Sequence, residues 1–109
     1  MSTYAVFGMT RHRAVEMAKR QINREIEKKG GFVPEPEWLE RVNARADEIM
    51  KSDHTIQLSE KFDAPQFARE FLEIAQKYES RQLHIKAQSN VGVNPKTGRP
   101  ITEWNSVSL

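Results

Sequence analysis

The first half of the chain has the hydrophobic spacing of two amphipathic helices. Between Arg11 and Lys29 the apolar positions recur every three or four residues, which places Val15, Ala18, Ile22 and Ile26 on one helix face. Gly30-Gly31 then marks the end of this helix. A second helix is predicted from Pro36 to Met50, because proline suits the first helical turn. Its apolar stripe comprises Leu39, Val42, Ala46, Ile49 and Met50.

The rest of the chain predicts three strands and one more helix. The strands are residues 3–7, 54–62 and 81–88, and on the third we expect Gln82, His84, Lys86 and Gln88 to point outward. A third helix is predicted after Asp63, which would cap it in a capping box with Gln66. The strongest apolar stripe in the chain lies on this helix: Phe67, Phe71, Ile74, Ala75 and Tyr78. We expect Tyr4, Phe7, Phe67 and Phe71 to belong to the core.

These elements predict an α+β fold. The order is strand, helix, helix, strand, helix, strand, with a small three- to four-stranded sheet and three helices packed mainly on one face. The second strand, third helix and third strand can form a crossover unit with parallel strands. Residues 1–90 are expected to form the single domain. Residues 91–109 are polar, and around the turn NPKTG they predict a hairpin or an arm.

Composition restricts the compartment and the chemistry. The 109 residues suit one domain, and no apolar run reaches the roughly 18 residues of a membrane span. The N-terminus lacks the pattern of a signal peptide. Cysteine is absent, which excludes disulfides and thiolate chemistry and favours a reducing cytoplasm. We therefore expect a cytoplasmic protein that does not bind membranes.

Motifs for catalysis, metals and cofactors are missing from the sequence. His12, His54 and His84 lie on separate predicted elements and match no metal-ligand spacing. The serines lie at element ends, where serine usually caps or turns, and no glycine-rich phosphate loop is present. We expect no catalytic residue, no metal site and no cofactor, and an enzyme is the least favoured class.

The turn from Gly8 to Arg13 suggests an anion site. A strand, a glycine and a helix N-terminus in succession resemble the geometry that binds anions through backbone N–H groups. The candidate residues are Gly8, Thr10, Arg11 and Arg13. In the alternative interpretation, Thr10 only caps the helix and the basic side chains extend into water.

A basic row on the first helix is the strongest functional indication. Residues 1–31 hold seven Lys/Arg against three Asp/Glu, whereas residues 32–63 hold four against eight, which favours one basic and one acidic face. Arg13, Arg20 and Arg24 point away from the apolar face, Lys28 flanks them, and Met17 is expected to be exposed among them. Such a row can contact phosphates or an acidic protein, or it can simply be solvated. Glu16 can pair with Arg20, four residues further along the helix.

The aromatic residues give little support to RNA binding, because the outward side of the third strand carries no stacking aromatic besides His84. Trp104 is the exception in the polar tail, either as a lid on the core or as an anchor for a partner.

The favoured function is a small, non-enzymatic cytoplasmic binding protein. We expect a regulator or inhibitor of the phage or plasmid accessory type that docks on another protein through Arg13, Met17, Arg20, Arg24, Lys28 and Trp104. The first alternative is a nucleic-acid-binding protein that uses the same helix. The second alternative is an anion-binding protein or small enzyme at the Gly8–Arg13 turn. Homo-oligomers are compatible with each of these.

Overall fold

The computed structural model describes residues 2–107 and shows three helices and a four-stranded antiparallel sheet, which confirms the α+β class. In chain order the elements are β1 (Thr3–Thr10), α1 (Arg11–Lys29), α2 (Glu35–Lys51), β2 (Ile56–Gln57), α3 (Pro65–Ala75), β3 (Ser80–Val93) and β4 (Pro100–Val107). The strand order is β2-β1-β3-β4. Met1 of the predicted domain 1–90, and Ser108 and Leu109 of the predicted segment 91–109, lie outside the described residues.

Strand β2 and strand β3 run in the same direction because each is antiparallel to β1. The parallel orientation predicted for them is therefore present, with β1 lying between the two strands. Strand β2 is much shorter than predicted. The reason is Ser59, whose buried hydroxyl accepts the Val6 N–H at 2.8 Å and so takes the place of a strand carbonyl. Beyond it, Phe62 rejoins β1 in a single bridge to Tyr4.

The helix ends show which capping signals operate. Thr10 caps α1, since its hydroxyl accepts the Arg13 N–H at 3.2 Å, and Gly30 ends this helix in the left-handed conformation. The predicted cap of α3 is wrong. The N-cap residue is Ala64, whose side chain accepts no hydrogen bond, and the helix begins at Pro65. Proline in the first turn thus marks the start of α3 instead of Asp63.

Helices α1 and α2 form an antiparallel hairpin with its own core. Asp47, near the end of α2, pairs with Arg11 at the start of α1, and Trp38 donates to the Asn23 amide oxygen at 2.8 Å. The buried residues at this interface are Ala14, Ala18 and Ile22 of α1 and Val42 and Ala46 of α2, and Met9 of β1 joins them from the sheet. Because α2 packs mainly on α1 and little on the sheet, the molecule is extended. Its radius of gyration is 17.8 Å, against about 13 Å for a compact chain of this length.

Arg81 at the start of β3 ties this hairpin to the sheet. Its guanidinium donates to the carbonyl oxygens of Met50 at 2.7 Å, Ile49 at 2.8 Å and His54 at 2.6 Å. These carbonyls lie at and just beyond the end of α2, where helical carbonyls lack internal partners. One side chain therefore caps α2 and fixes its position relative to β3.

Helix α3 packs on one face of the sheet. Ala68 is buried against Val6 of β1 and Ile85 of β3, with Phe71 and Leu72 partly buried beside them. Val6 and Ile85 are cross-strand partners, so they lie on the same face. Their sequence neighbours project from the opposite face, because side chains alternate along a strand.

Candidate binding surfaces

The turn between β1 and α1 holds the residues suggested for an anion site. Gly8 has a φ of 147°, and a Cβ at this position would lie 3.0 Å from the carbonyl oxygens of Arg81 and Gln82. Its lack of a side chain therefore serves the close approach of β1 to β3. The Thr10 hydroxyl is already engaged in capping α1 through Arg13. Both residues have structural roles at this turn.

The basic side chains that follow have partners within the chain. Arg11 forms an ion pair with Asp47. The His12 Nε2 atom lies 2.8 Å from the Glu16 carboxylate, and a guanidinium nitrogen of Arg13 lies 3.7 Å from the same group. An anion bound here would compete with all three contacts, so the geometry does not favour this turn as an anion site.

The exposed part of the basic row consists of Arg20, Arg24 and Lys28. None of the three makes an ion pair with any residue in the part of the chain that the structure describes. Their positions are four residues apart, which places them along one side of α1 over about 12 Å. This row is free to contact an external charged group.

The other residues of the predicted row lie deeper. Arg13 is half-buried, and its Nε atom is buried without a hydrogen-bond partner. Met17 is half-buried against the α1–α2 core, so the expectation that it is exposed is wrong. Glu16 contacts His12 and Arg13, so the Glu16–Arg20 pair that the spacing permits is not formed. The contact surface offered by α1 is therefore shorter than the sequence suggested.

Helix α3 turns most of its strongest apolar stripe toward solvent. Phe67 is 47% exposed, Ile74 56% and Tyr78 70%, whereas Ala68 and Ala75 are buried. The two alanines allow α3 to lie close to the sheet, and the larger side chains on the neighbouring side of the helix are left outside. The expectation that Phe67 is a core residue is therefore wrong.

A groove of about 710 Å³ runs between this stripe and the start of α1. Its apolar wall is formed by Leu58, Phe71, Ile74, Ala75 and Tyr78, and its polar wall by Thr10, Arg11, His12, Arg13 and Glu79. We call this surface the α3 groove. It combines exposed apolar side chains with a rim in which two arginines and a histidine outnumber one glutamate.

The sheet face opposite α3 carries a second cluster, which we call the sheet platform: Phe7, His84, Trp104, Lys61 and Lys86. The ring centroids of Phe7 and Trp104 lie 5.2 Å apart in an edge-to-face arrangement. His84 stacks beside Phe7 at 6.1 Å. The ammonium group of Lys86 lies 4.8 Å from the Phe7 ring centre, and that of Lys61 lies 5.7 Å from the Trp104 ring centre.

Trp104 thus belongs to the sheet platform, whereas the sequence suggested a lid or an anchor in a polar tail. The register explains the placement, because Phe7 pairs with His84, and Trp104 pairs with Gln88 on the same strand. Phe7 is half-buried on this face, so its assignment to the core was wrong. The outward residues of β3 were predicted correctly from the sequence pattern. The residues that lie beside them on β1 and β4 could not be predicted in this way.

Three further findings concern the chain as a whole. Among residues 2–107, no helix is long and apolar enough to cross a membrane. Within the same range, no group of three or more histidine, aspartate or glutamate side chains is placed to hold a metal ion. Neither the protein-family models, nor the curated proteins, nor the solved structures contain a match to this chain.

Proposed function

We propose that this protein is a non-enzymatic binding protein that regulates another protein by docking on it through the α3 groove. The observation that carries the proposal is the exposed stripe of α3. Monomeric proteins rarely leave a contiguous row of large apolar side chains in water unless a partner covers it. Ile74 and Tyr78 are more than half exposed, and both line the groove. Because the chain lacks cysteine, we place this activity in the cytoplasm.

The groove suits an amphipathic helix from the partner. The exposed apolar residues Phe67, Ile74 and Tyr78 recur at the spacing i, i+7 and i+11 along α3 and the turn that follows it, and a second helix with matching spacing can pack along such a row. The rim carries Arg11, His12 and Arg13 at one end. These side chains already contact Asp47 and Glu16, so we expect the apolar row of α3, and not this rim, to provide most of the contact with the partner helix.

Arg20, Arg24 and Lys28 are available as a second contact for the same partner. They are exposed on α1 and unpaired within the described residues. Charge reversal at Arg20 and Arg24 is expected to slow association and to make it less dependent on salt, without abolishing docking in the groove.

The test compares three forms of the full chain as bait in nuclease-treated lysate of the native host. The forms are the wild type, Ile74→Asp in the groove, and Gln66→Asp, which adds the same charge at an exposed position of α3 outside the groove. Proteins retained by the wild type and by Gln66→Asp but lost with Ile74→Asp are candidates for direct binding measurements with purified components. If no protein shows this pattern, the docking proposal is rejected.

Sedimentation of the wild type and of Ile74→Asp tests whether a second copy of this chain, instead of a separate partner, occupies the α3 groove. A wild-type dimer that Ile74→Asp converts to a monomer would mean that self-association covers the stripe. That result would overturn the proposal of a separate partner.

A further inference from the structure

The sheet platform lies on the face of the sheet that α3 does not cover. Val6 and Ile85 form the face that contacts α3. Phe7 and His84 are their neighbours and pair with each other across β1 and β3, so they project to the opposite side. Trp104 of β4 joins them through its contact with Phe7. Three aromatic rings from three adjacent strands thus meet on one open sheet face.

This face is basic. Among the described residues, the regular part of the register places only neutral or basic side chains on it: Thr3, Ala5, Phe7, Gln57, His84, Lys86, Gln88, Asn90, Thr102, Trp104 and Ser106. Glu103, the acidic residue nearest in sequence, precedes Trp104 and so points to the other face. Lys61 extends over Trp104 from the segment that follows β2. Within the paired strands, Lys86 and the aromatic rings therefore share this face with no carboxylate, and Lys61 reaches it from a segment that also contains Glu60 and Asp63.

From this arrangement we propose that the sheet platform binds single-stranded nucleic acid. Bases stack on Trp104 and Phe7, and the ammonium groups of Lys61 and Lys86 pair with the flanking phosphates. Stacking on aromatic rings of an open sheet combined with basic side chains is the chemistry by which proteins hold unpaired strands. The inference goes beyond the proposed function, because the α3 groove lies on the other side of the sheet.

The two lysines have the position that this role requires in the unbound protein. Each ammonium group lies over a ring face that a base would occupy, at 4.8 Å from Phe7 and 5.7 Å from Trp104. Lysine has a flexible four-carbon stem, so each group can move from the ring to a phosphate when a base enters. The polar side chains of Gln88 and Thr102, which hydrogen-bond to each other at 3.1 Å, border the rings and offer donors and acceptors to base edges.

The test measures binding of labelled oligo-dT and oligo-U of about 12 nucleotides, which exceeds the span of the platform, by fluorescence anisotropy at two salt concentrations. The competitors are a duplex of the same length and poly-glutamate, which are polyanions like the labelled single strands. In a Trp38→Phe background, the remaining tryptophan is Trp104, so quenching of its emission reports stacking directly.

Binding of single strands with quenching of Trp104, and weak competition by the duplex and by poly-glutamate, is the expected result. Trp104→Leu is expected to weaken binding about tenfold or more. The double variant Lys61→Gln/Lys86→Gln is expected to lower the salt slope by about 1.4, at roughly 0.7 per phosphate contact. Lys51→Gln/Lys77→Gln, which removes two charges at the end of α2 and beyond the end of α3, is the matched control and is expected to bind like the wild type.

Two results would overturn the inference. The first is no saturable binding of either oligonucleotide at low salt by the folded wild type. The second is binding that survives Lys61→Gln/Lys86→Gln but is lost in Arg20→Glu/Arg24→Glu, which would assign the interaction to the basic row of α1. Since Lys61 is exposed, its substitution tests the platform even if Trp104→Leu does not fold. Stronger binding of oligo-U than of oligo-dT would identify RNA as the ligand, and the reverse order would identify DNA.

Discussion

Gly8 lies where β1 approaches β3 most closely, and replacing it with alanine tests whether this approach depends on the missing side chain. The pairing shifts between Phe7 and Met9, where β3 contains an extra residue and Gln82 adopts a positive φ of 52°. A Cβ on Gly8 would lie 3.0 Å from two backbone oxygens of β3 and from the Leu83 Cδ2 atom. Of these three neighbours, only the leucine carbon can rotate away.

The expected cost has two parts. The φ of 147° at Gly8 is a conformation that residues with a side chain rarely adopt, and such strain costs about 1–3 kcal/mol. Moving the backbone of β3 to relieve the close contacts costs about 1–3 kcal/mol more, as in other overpacked sites. Gly8→Ala is therefore expected to lower the free energy of unfolding by about 2–6 kcal/mol.

Two other glycines separate these contributions in the same urea-unfolding experiment, followed by circular dichroism. Gly92 has a φ of 157° and open space around it, so Gly92→Ala shows the cost of strain alone, about 1–3 kcal/mol. Gly31 has open space and no positive φ, so Gly31→Ala is expected to change stability by less than about 0.5 kcal/mol. If Gly8→Ala is as stable as Gly31→Ala, the reasoning is refuted. If Gly8→Ala costs the same as Gly92→Ala, the contacts with β3 contribute nothing.

Two more predictions concern polar contacts. Arg81→Ala is expected to lower the free energy of unfolding by about 2–3 kcal/mol, because three carbonyls at the end of α2 lose a charged donor. Arg81→Lys should restore less than half of that loss in the same urea titration, since one ammonium cannot reproduce the guanidinium geometry. The hydrogen bond from Arg45 holds the pKa of Glu25 below its usual value. The stability that this hydrogen bond contributes is therefore present above the ordinary glutamate pKa, and it is lost as the pH falls through the lowered value. Acid titration of Glu25→Gln should therefore show a smaller loss of stability than the wild type. Glu27→Gln is the control, because Glu27 is also exposed but makes no ion pair within the described residues. Equal losses in all three proteins would contradict the assignment.

The local pattern determined the helices and most of the strands. Helix α1 begins and ends at the predicted residues, because Thr10 and Gly30 act on backbone groups only a few positions away. The outward side of β3 was also predictable, since alternation along a strand needs no knowledge of its neighbours. The short length of β2 could not be predicted in this way, because it depends on a hydrogen bond between two residues that are distant in sequence: the Ser59 hydroxyl accepts the N–H of Val6.

Only the tertiary structure decided which surfaces remain open. Helix α3 has two sides that could pack on the sheet, and the side with Ala68 and Ala75 is buried because small residues permit a close approach. The larger Ile74 was left outside and became part of the α3 groove. Likewise, Phe7 and Trp104 are far apart in sequence, and they meet only because β1 and β4 both flank β3. Strand order and register depend on the free energy of the whole packed chain, so the spacing of residues within one element cannot specify them.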